Sequence, residues 1–311
     1  MRIRFWGVRG SLPSPLLGSQ VKEKLYTILQ YALPEDLEDT ESREHFIAGL
    51  PPWLFGTVGG NTSCVSVGLD GFDEQIVFDC GSGIREMGKA SFADPSSRYH
   101  IFLSHFHWDH LQGFPFFAPA YNPAVNIDFY SPKQGFHNDL SGLMRPPFSP
   151  IRMDDMAAKK NFRIIEAPVE IGPATVSFRK MNHPGGSFAY KVKHGNKRFI
   201  YATDSELESR DFAETDANAA FFEDADVVVI DSQYTPMEAI EKRKWGHSPY
   251  SMAVEFAMNW GVKHLVLFHH DPGSDDRRLY EMLQSARQYL KLIYGEGITI
   301  SLASEGLEIV L

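Results

Sequence analysis

Residues 100–110 read HIFLSHFHWDH, an apolar strand-like run followed at once by Ser104, His105, His107, Asp109 and His110. At the end of an extended strand, residues two apart point to the same side, so His105 and His107 can address one cation together. Asp109 and His110 fall on the turn into the next element, where they can face a second cation close by. Four metal-competent side chains within residues 105–110, beside an apolar strand, are poorly explained as packing. Imidazole and carboxylate at this density suit zinc, with manganese or iron as alternatives.

Outward from this stretch, short apolar strands alternate with helical segments, the pattern of an α/β chain. Strands are expected at Arg2–Gly7, Ser63–Leu69, Gln75–Asp79, His100–Ser104, Asn126–Tyr130, Ala174–Met181, Phe188–Val192 and Arg198–Thr203. Further strands are expected at Val227–Asp231, Leu265–Phe268, Thr299–Ser301 and Leu307–Val310, and Asp70-Gly71 should close a hairpin. One helix is expected after Ser248 as cap and Pro249 at the first turn, stopping at Gly261. Another should run from Asp275 to about Ile293.

Two segments break the rhythm. Residues 131–160 are rich in Pro, Phe and Met. Residues 12 to about 58 hold an amphipathic pattern (Val21, Leu25, Ile28, Leu29, Ala32) and the apolar cluster Trp53-Leu54-Phe55. The second segment is too short for a robust core of its own. It is expected as an insertion in a single domain spanning 1–311, lying over the site as a lid or against a second copy, with packing on the flank as the alternative.

Composition narrows the class. The chain has 311 residues, 43% hydrophobic and 23% charged, which excludes disordered and collagen-like chains. Two cysteines cannot build a disulfide scaffold. No apolar run is long enough for a membrane span and no secretory leader is evident, so a cytoplasmic location is expected. A net charge of −10 disfavours a large nucleic-acid partner.

The His-x-His-x-Asp-His run resembles the metallo-β-lactamase superfamily, over about residues 2–10 and 59–310. The resemblance implies a four-layer αββα sandwich with metal ligands on loops at one edge of its two sheets. It implies three later ligands in order, matched by His183 in Asn182-His183-Pro184-Gly185-Gly186, by Asp204 in Thr203-Asp204-Ser205, and by His269 in Phe268-His269-His270. His270 competes with His269, which has the better spacing. The implied assignment is one ion on His105, His107 and His183, another on Asp109, His110 and His269, and Asp204 between them. Asp79 matches an early aspartate that supports the ligands from behind.

Trp245-Gly246-His247-Ser248, before a helix and the strand leading to His269, resembles tRNase Z, in which such a histidine assists reaction at phosphate. The opening Phe5–Ser11 and the Gly59–Cys64 segment look like a bacterial subgroup near the cyclic-nucleotide and phosphonate-pathway cyclic phosphodiesterases. The expected function is hydrolysis of a small phosphodiester such as a cyclic nucleotide, with His247 and Asp109 as catalytic residues. Carboxylic ester, thioester or lactone hydrolysis, and tRNase Z-like cleavage, are the alternatives. A flavodiiron oxygen reductase fits less well, because that family typically has glutamate where His107 stands. No segment resembles the glycine-rich basic arm of tRNase Z. Ser187 is the candidate substrate contact. Phe114–Phe117, Phe148 and Arg145 are further pocket candidates, with core packing or a plain surface position as the alternative for each. A homodimer is compatible with the chain.

Overall fold

Runs such as Val227-Val-Val-Ile-Asp231 and Leu265-Val-Leu-Phe268 are rich in β-branched and aromatic residues and carry no internal polar group, so they form strands buried on both faces. The computed structural model describes residues 1–91 and 97–311. In chain order its strands are β1 (Arg2–Gly7), β2 (Cys64–Leu69), β3 (Phe72–Phe78), β4 (Arg98–Phe102), β5 (Asn126–Ser131), β6 (Lys159–Ile164) and β7 (Val169–Ile171). They continue as β8 (Ala174–Met181), β9 (Ser187–His194), β10 (Lys197–Ala202), β11 (Val227–Asp231), β12 (His264–Phe268), β13 (Thr299–Leu302) and β14 (Glu308–Val310).

Two seven-stranded sheets result, ordered β14-β1-β2-β3-β4-β5-β6 and β13-β12-β11-β10-β9-β8-β7. In each, a parallel block (β3 to β6, and β10 to β13) adjoins antiparallel neighbours. The inner faces meet in one aromatic core, where Phe78 stacks on Tyr201 at 5.2 Å and Phe5 approaches Phe268 at 6.2 Å. The outer face of the second sheet is covered by helices Tyr250–Asn259 and Asp276–Tyr294. That of the first is covered by Gly83–Ala90 and Phe136–Leu143. Helices, sheet, sheet and helices make the expected four layers. Among the described residues no helix is long and apolar enough to cross a membrane.

Several details differ from expectation. β6 and β7 lie in or beside the Pro- and Phe-rich stretch, where Lys159–Ile164 has weak alternation and gains its strand state by pairing in parallel with β5. The helix after His247 begins at Tyr250 with Pro249 as its cap. Ser248 does not cap it: its hydroxyl donates to the Ser205 carbonyl and accepts from the Leu207 N–H, a tie between loops. The insertion forms helices Gly18–Tyr31, Thr40–Gly49 and Pro52–Phe55, and its recorded long-range side-chain bonds run to the C-terminal helix and the turn before it. Its first helix inverts the expected burial: Lys24 is buried against Asp276 at 2.5 Å, while Val21, Leu25 and Leu29 are exposed. The aliphatic stem of Lys24 fits that seam because Asp276, which also accepts from Val58 and Thr57, supplies the counter-charge.

Candidate metal centre

The site assembles where strands of both sheets end on one edge. Asp79 follows β3, Ser104–His110 follow β4, His183 follows β8, Asp204 follows β10, Asp231 ends β11 and His269 follows β12. Loops leaving the ends of parallel strands converge in α/β folds, which brings residues far apart in sequence together. The Phe188 N–H donates to the Ser104 carbonyl and that of His270 to the Val8 carbonyl, so the two sheets are tied at this edge. Asp79, Asp204 and His269 all have left-handed backbones, with φ of 62°, 50° and 61°. Such strain in non-glycine residues persists only where the surroundings over-determine it, typically at functional sites.

Seven expected side chains come together. His105, His107, His183 and Asp204 present donor atoms within 4.8 Å of one another, and so do Asp109, His110 and His269. Asp204 divides its two oxygens between these groups. Its Oδ1 lies 3.6 Å from the Nε2 of both His105 and His183, and its Oδ2 lies 3.1 Å from His110 Nε2 and 3.2 Å from His269 Nε2. Asp109 Oδ2 is 3.2 Å from His110 Nε2 and 3.5 Å from His269 Nε2, and accepts from the Ser11 N–H.

The imidazoles are held with one nitrogen turned inward. His183 Nδ1 meets the Gly246 carbonyl at 2.9 Å, His110 Nδ1 meets Asp79 Oδ2 at 2.8 Å, and His269 Nδ1 meets Gln233 Oε1 at 3.2 Å. His105 Nδ1 is 3.1 Å from the Ser104 hydroxyl, which itself donates to Asp79 Oδ2 and so can only accept from the ring. In these four rings Nδ1 therefore carries the proton and Nε2 is the atom turned to the cluster, whereas His107 faces it with Nδ1, 3.1 Å from His183 Nε2. His105 Nε2 is buried and has no hydrogen-bond partner. A buried orphan acceptor surrounded by imidazoles and carboxylates suits a cation, so the donor set is compatible with divalent metal binding.

Electrostatics agree. Burial pushes His105 well below the ordinary imidazole range, with the neighbouring His110 adding to the shift, and burial also lowers His107 and His183. These three imidazoles are neutral at pH 7. Burial opposes charge on His110 as well, but Asp204, Asp109 and Asp79 around it outweigh burial and push it up. Burial resists ionisation of Asp109 and Asp204, yet the surrounding histidines hold both well below the carboxylate range. The pocket demands positive charge.

Asp79 lies behind the cluster, as expected, and is wholly buried. Its Oδ1 accepts from the Ser104 N–H at 2.7 Å, and its Oδ2 from the Ser104 hydroxyl, His110 and the Tyr201 hydroxyl. His247 sits at the edge of the group, its ring stacked 4.9 Å from that of His269 and edge-on to that of His183 at 5.3 Å. Its Nδ1 is 2.6 Å from Asp231 Oδ2. Burial disfavours the imidazolium, but Asp231 outweighs it and raises His247 to about 9.

One expectation is corrected here. Ser187 is fully buried and its hydroxyl donates to the Asp204 carbonyl, so it fixes the strained Asp204 backbone and is out of reach of a substrate. Phe114 and Phe117 are core residues packed on Phe129 and Tyr99, whereas Phe116 and Phe148 are exposed, as is Arg145. Of the competing pair, His269 enters the cluster, while His270 is buried elsewhere and meets the Ala303 carbonyl through Nε2. Asp231, Ser104, Gln233 and Tyr201 were not singled out from sequence. The available signal was an acidic residue closing the apolar run Val227–Asp231, the pattern that also marks Asp79 and Asp204.

Comparisons with known proteins agree with this geometry. Residues 74–270, more than half of the chain, match the family model described as a beta-lactamase superfamily domain. Ribonuclease Z of Streptococcus equi subsp. equi (strain 4047) is 25% identical over 249 residues, covering 65% of this chain and 80% of that protein. The metallo-beta-lactamase fold protein YhfI from Bacillus subtilis superposes with a TM-score of 0.65 at 16% identity, covering 99% of this chain and 98% of that one. A diphosphatase from the PhnP family superposes with a TM-score of 0.62 at 15% identity, covering 100% and 97%.

Proposed function

The chain belongs to the beta-lactamase superfamily, and from that premise we propose that this metallo-β-lactamase-fold hydrolase is a phosphodiesterase acting on small phosphodiesters. His105, His107 and His183 would hold one divalent ion and Asp109, His110 and His269 a second, with one oxygen of Asp204 turned to each set. Zinc is the metal this nitrogen-rich set suits best. Bound there, such ions supply Lewis acidity, which brings the pKa of water towards neutrality and offsets phosphate charge.

The rest falls to the protein's own side chains. Asp109, held ionised and anchored by the Ser11 N–H, is the carboxylate placed to orient the attacking water. His247 carries a proton at neutral pH and gives it to the leaving oxygen, while Asp231 fixes its ring through Nδ1 and leaves Nε2 as the donor. The Asp231–His247 pair beside the ligand histidines is the single observation that carries the reading. When the P–O bond of an alkyl phosphodiester breaks, the leaving oxygen takes a proton from a donor at that position and departs as the alcohol, and a charged donor also favours an anionic substrate.

Two features support a small substrate: the net charge of −10, and the many phosphate contacts a long RNA requires. The ribonuclease Z relative favours a second reading, endonucleolytic cleavage of RNA. The test is hydrolysis of bis(p-nitrophenyl) phosphate, a thioester, a lactone and a 3′-extended precursor tRNA by zinc- or manganese-reconstituted protein. Turnover of the phosphodiester above the thioester and lactone is expected. Preference for either of those refutes the reading, and preference for the tRNA replaces it with the second one.

A further inference from the structure

A cavity of about 440 Å³ borders the cluster on the His183 side and carries charge that hydrolysis does not use. His183, at its buried end, is joined by three cations, Lys133, Lys180 and Arg210, and no carboxylate lines it. Resting on the phosphodiesterase reading, we propose that this cavity binds a second phosphate group of the substrate, so that the preferred substrates are phosphodiesters bearing a further phosphate.

The cations are arranged for such a group. Lys133 pairs with Asp139 at 2.5 Å and lies 4.7 Å over the Phe106 ring, and Arg210 Nε pairs with Glu208 at 3.1 Å. Neither carboxylate lines the cavity, so each pair holds its cation in place at the rim and leaves other N–H groups for a ligand. Lys180 has no carboxylate partner among the described residues and supplies an uncompensated charge. Phe106 and Phe188 form apolar walls, which strengthen that charge relative to open water.

Two glycines of the lining lie between Lys180 and the cluster. Gly185 and Gly186 are consecutive left-handed residues, φ 81° and 82°, in a turn closed by the Gly186 N–H on the His183 carbonyl. A Cβ at 185 would lie 3.9 Å from His107 Nε2, and one at 186 would lie 3.8 Å from Lys180 Cε. One two-residue turn therefore touches the cluster with one glycine and Lys180 with the next. Larger residues would be strained at these angles and would fill the passage. A phosphate at Lys180 and a diester at the cluster can accordingly belong to one small molecule. The second phosphate has two sources, a terminal monoester or the neighbouring diester of a short chain.

The experiment compares three thymidine oligonucleotides: TpT without a second phosphate, pTpT with a terminal one, and TpTpT with a neighbouring diester. The metal-reconstituted wild type is measured beside Lys180→Ala and Lys180→Arg. The expected result is a KM for pTpT about tenfold or more below that for TpT at similar kcat, a preference lost in Lys180→Ala and largely restored in Lys180→Arg. A matching gain on TpTpT assigns the subsite to a continuing chain, and its absence assigns it to a terminal phosphate. Equal KM values in the wild type, or an equal loss on all three substrates in Lys180→Ala, overturn the proposal. If no oligonucleotide is turned over, the phosphodiesterase reading fails on its own. Titration calorimetry of pTpT against TpT on the same proteins then decides the subsite: tighter pTpT binding that Lys180→Ala abolishes supports it, and equal binding overturns it.

Discussion

Replacing Asp79 with asparagine should disable His110 as a ligand without touching the cluster itself. The carboxylate takes four donors, the Ser104 N–H on Oδ1 and the Ser104 hydroxyl, His110 Nδ1–H and Tyr201 hydroxyl on Oδ2. The Ser104 backbone donor cannot reverse, so the asparagine oxygen stays at Oδ1 and its NH2 faces the other three groups. Both hydroxyls can rotate to accept. An imidazole accepts at Nδ1 only by moving its proton to Nε2, the atom that lies 3.1 Å from Asp204 Oδ2 and faces the cluster. Asp79→Asn should therefore weaken metal binding by about 10–100-fold, which is about 1.4–2.7 kcal/mol. A further cost of about 1–3 kcal/mol in folding stability follows if one buried donor remains unpaired. Zinc affinity is read by competition with a chromogenic chelator, and stability by thermal melting of metal-free protein. Tyr201→Phe is the control, because it removes one donor and keeps the carboxylate. Its zinc affinity should stay within about threefold of wild type, at a stability cost of about 1 kcal/mol. Wild-type zinc affinity in Asp79→Asn, or equal losses in the two variants, would refute the tautomer argument.

Metal analysis after reconstitution should find about two equivalents per chain, and Asp204→Ala should lose both, because each of its oxygens faces a different ligand set; one equivalent in wild type under excess zinc contradicts this. His247→Ala should lower kcat by about 10²–10⁴ on an alkoxide leaving group and by much less on p-nitrophenolate, with metal content retained. Metal loss in that variant would instead make His247 a ligand. Asp231→Asn should move the alkaline limit of activity to lower pH, since the carboxylate favours the imidazolium and its removal lets the donor deprotonate sooner; an unmoved limb counts against the pair. Lys24→Met leaves the buried Asp276 without its cation, which costs about 3–5 kcal/mol. It should lower the Tm by at least about 5 °C with kcat unchanged, and an unshifted Tm would show that the insertion is not pinned there.

The clustered residues were legible in sequence because they stand where an apolar strand ends or in the turn just after it. A strand's two-residue period and abrupt polar termination are local properties, visible without knowing the partner strands. For the same reason β1, β8 and β11 were expected with the bounds they have, and most other strands to within one to three residues. What tertiary structure decided was pairing between distant segments. Nothing local links Asp231 to His247, or Ser104 and Tyr201 to Asp79: Ser104 meets Asp79 because β3 and β4 are neighbours in one sheet, His247 meets Asp231 because its loop folds back over the end of β11, and Tyr201 reaches Asp79 because the second sheet packs on the first. β6 is a strand because β5 offers it a ladder, not because its own residues alternate. Ser187 looked like a pocket residue because a polar side chain beside two glycines is ambiguous by itself, and only the strained Asp204 turn reveals that its hydroxyl points inward. The helix Gly18–Tyr31 is the sharpest case. Its apolar period marked Val21, Leu25 and Leu29, which are exposed, and which face is buried depended on a carboxylate 252 residues away that could neutralise Lys24. Periodicity states that a face exists, and the charge and shape of the neighbouring element decide what it is packed against.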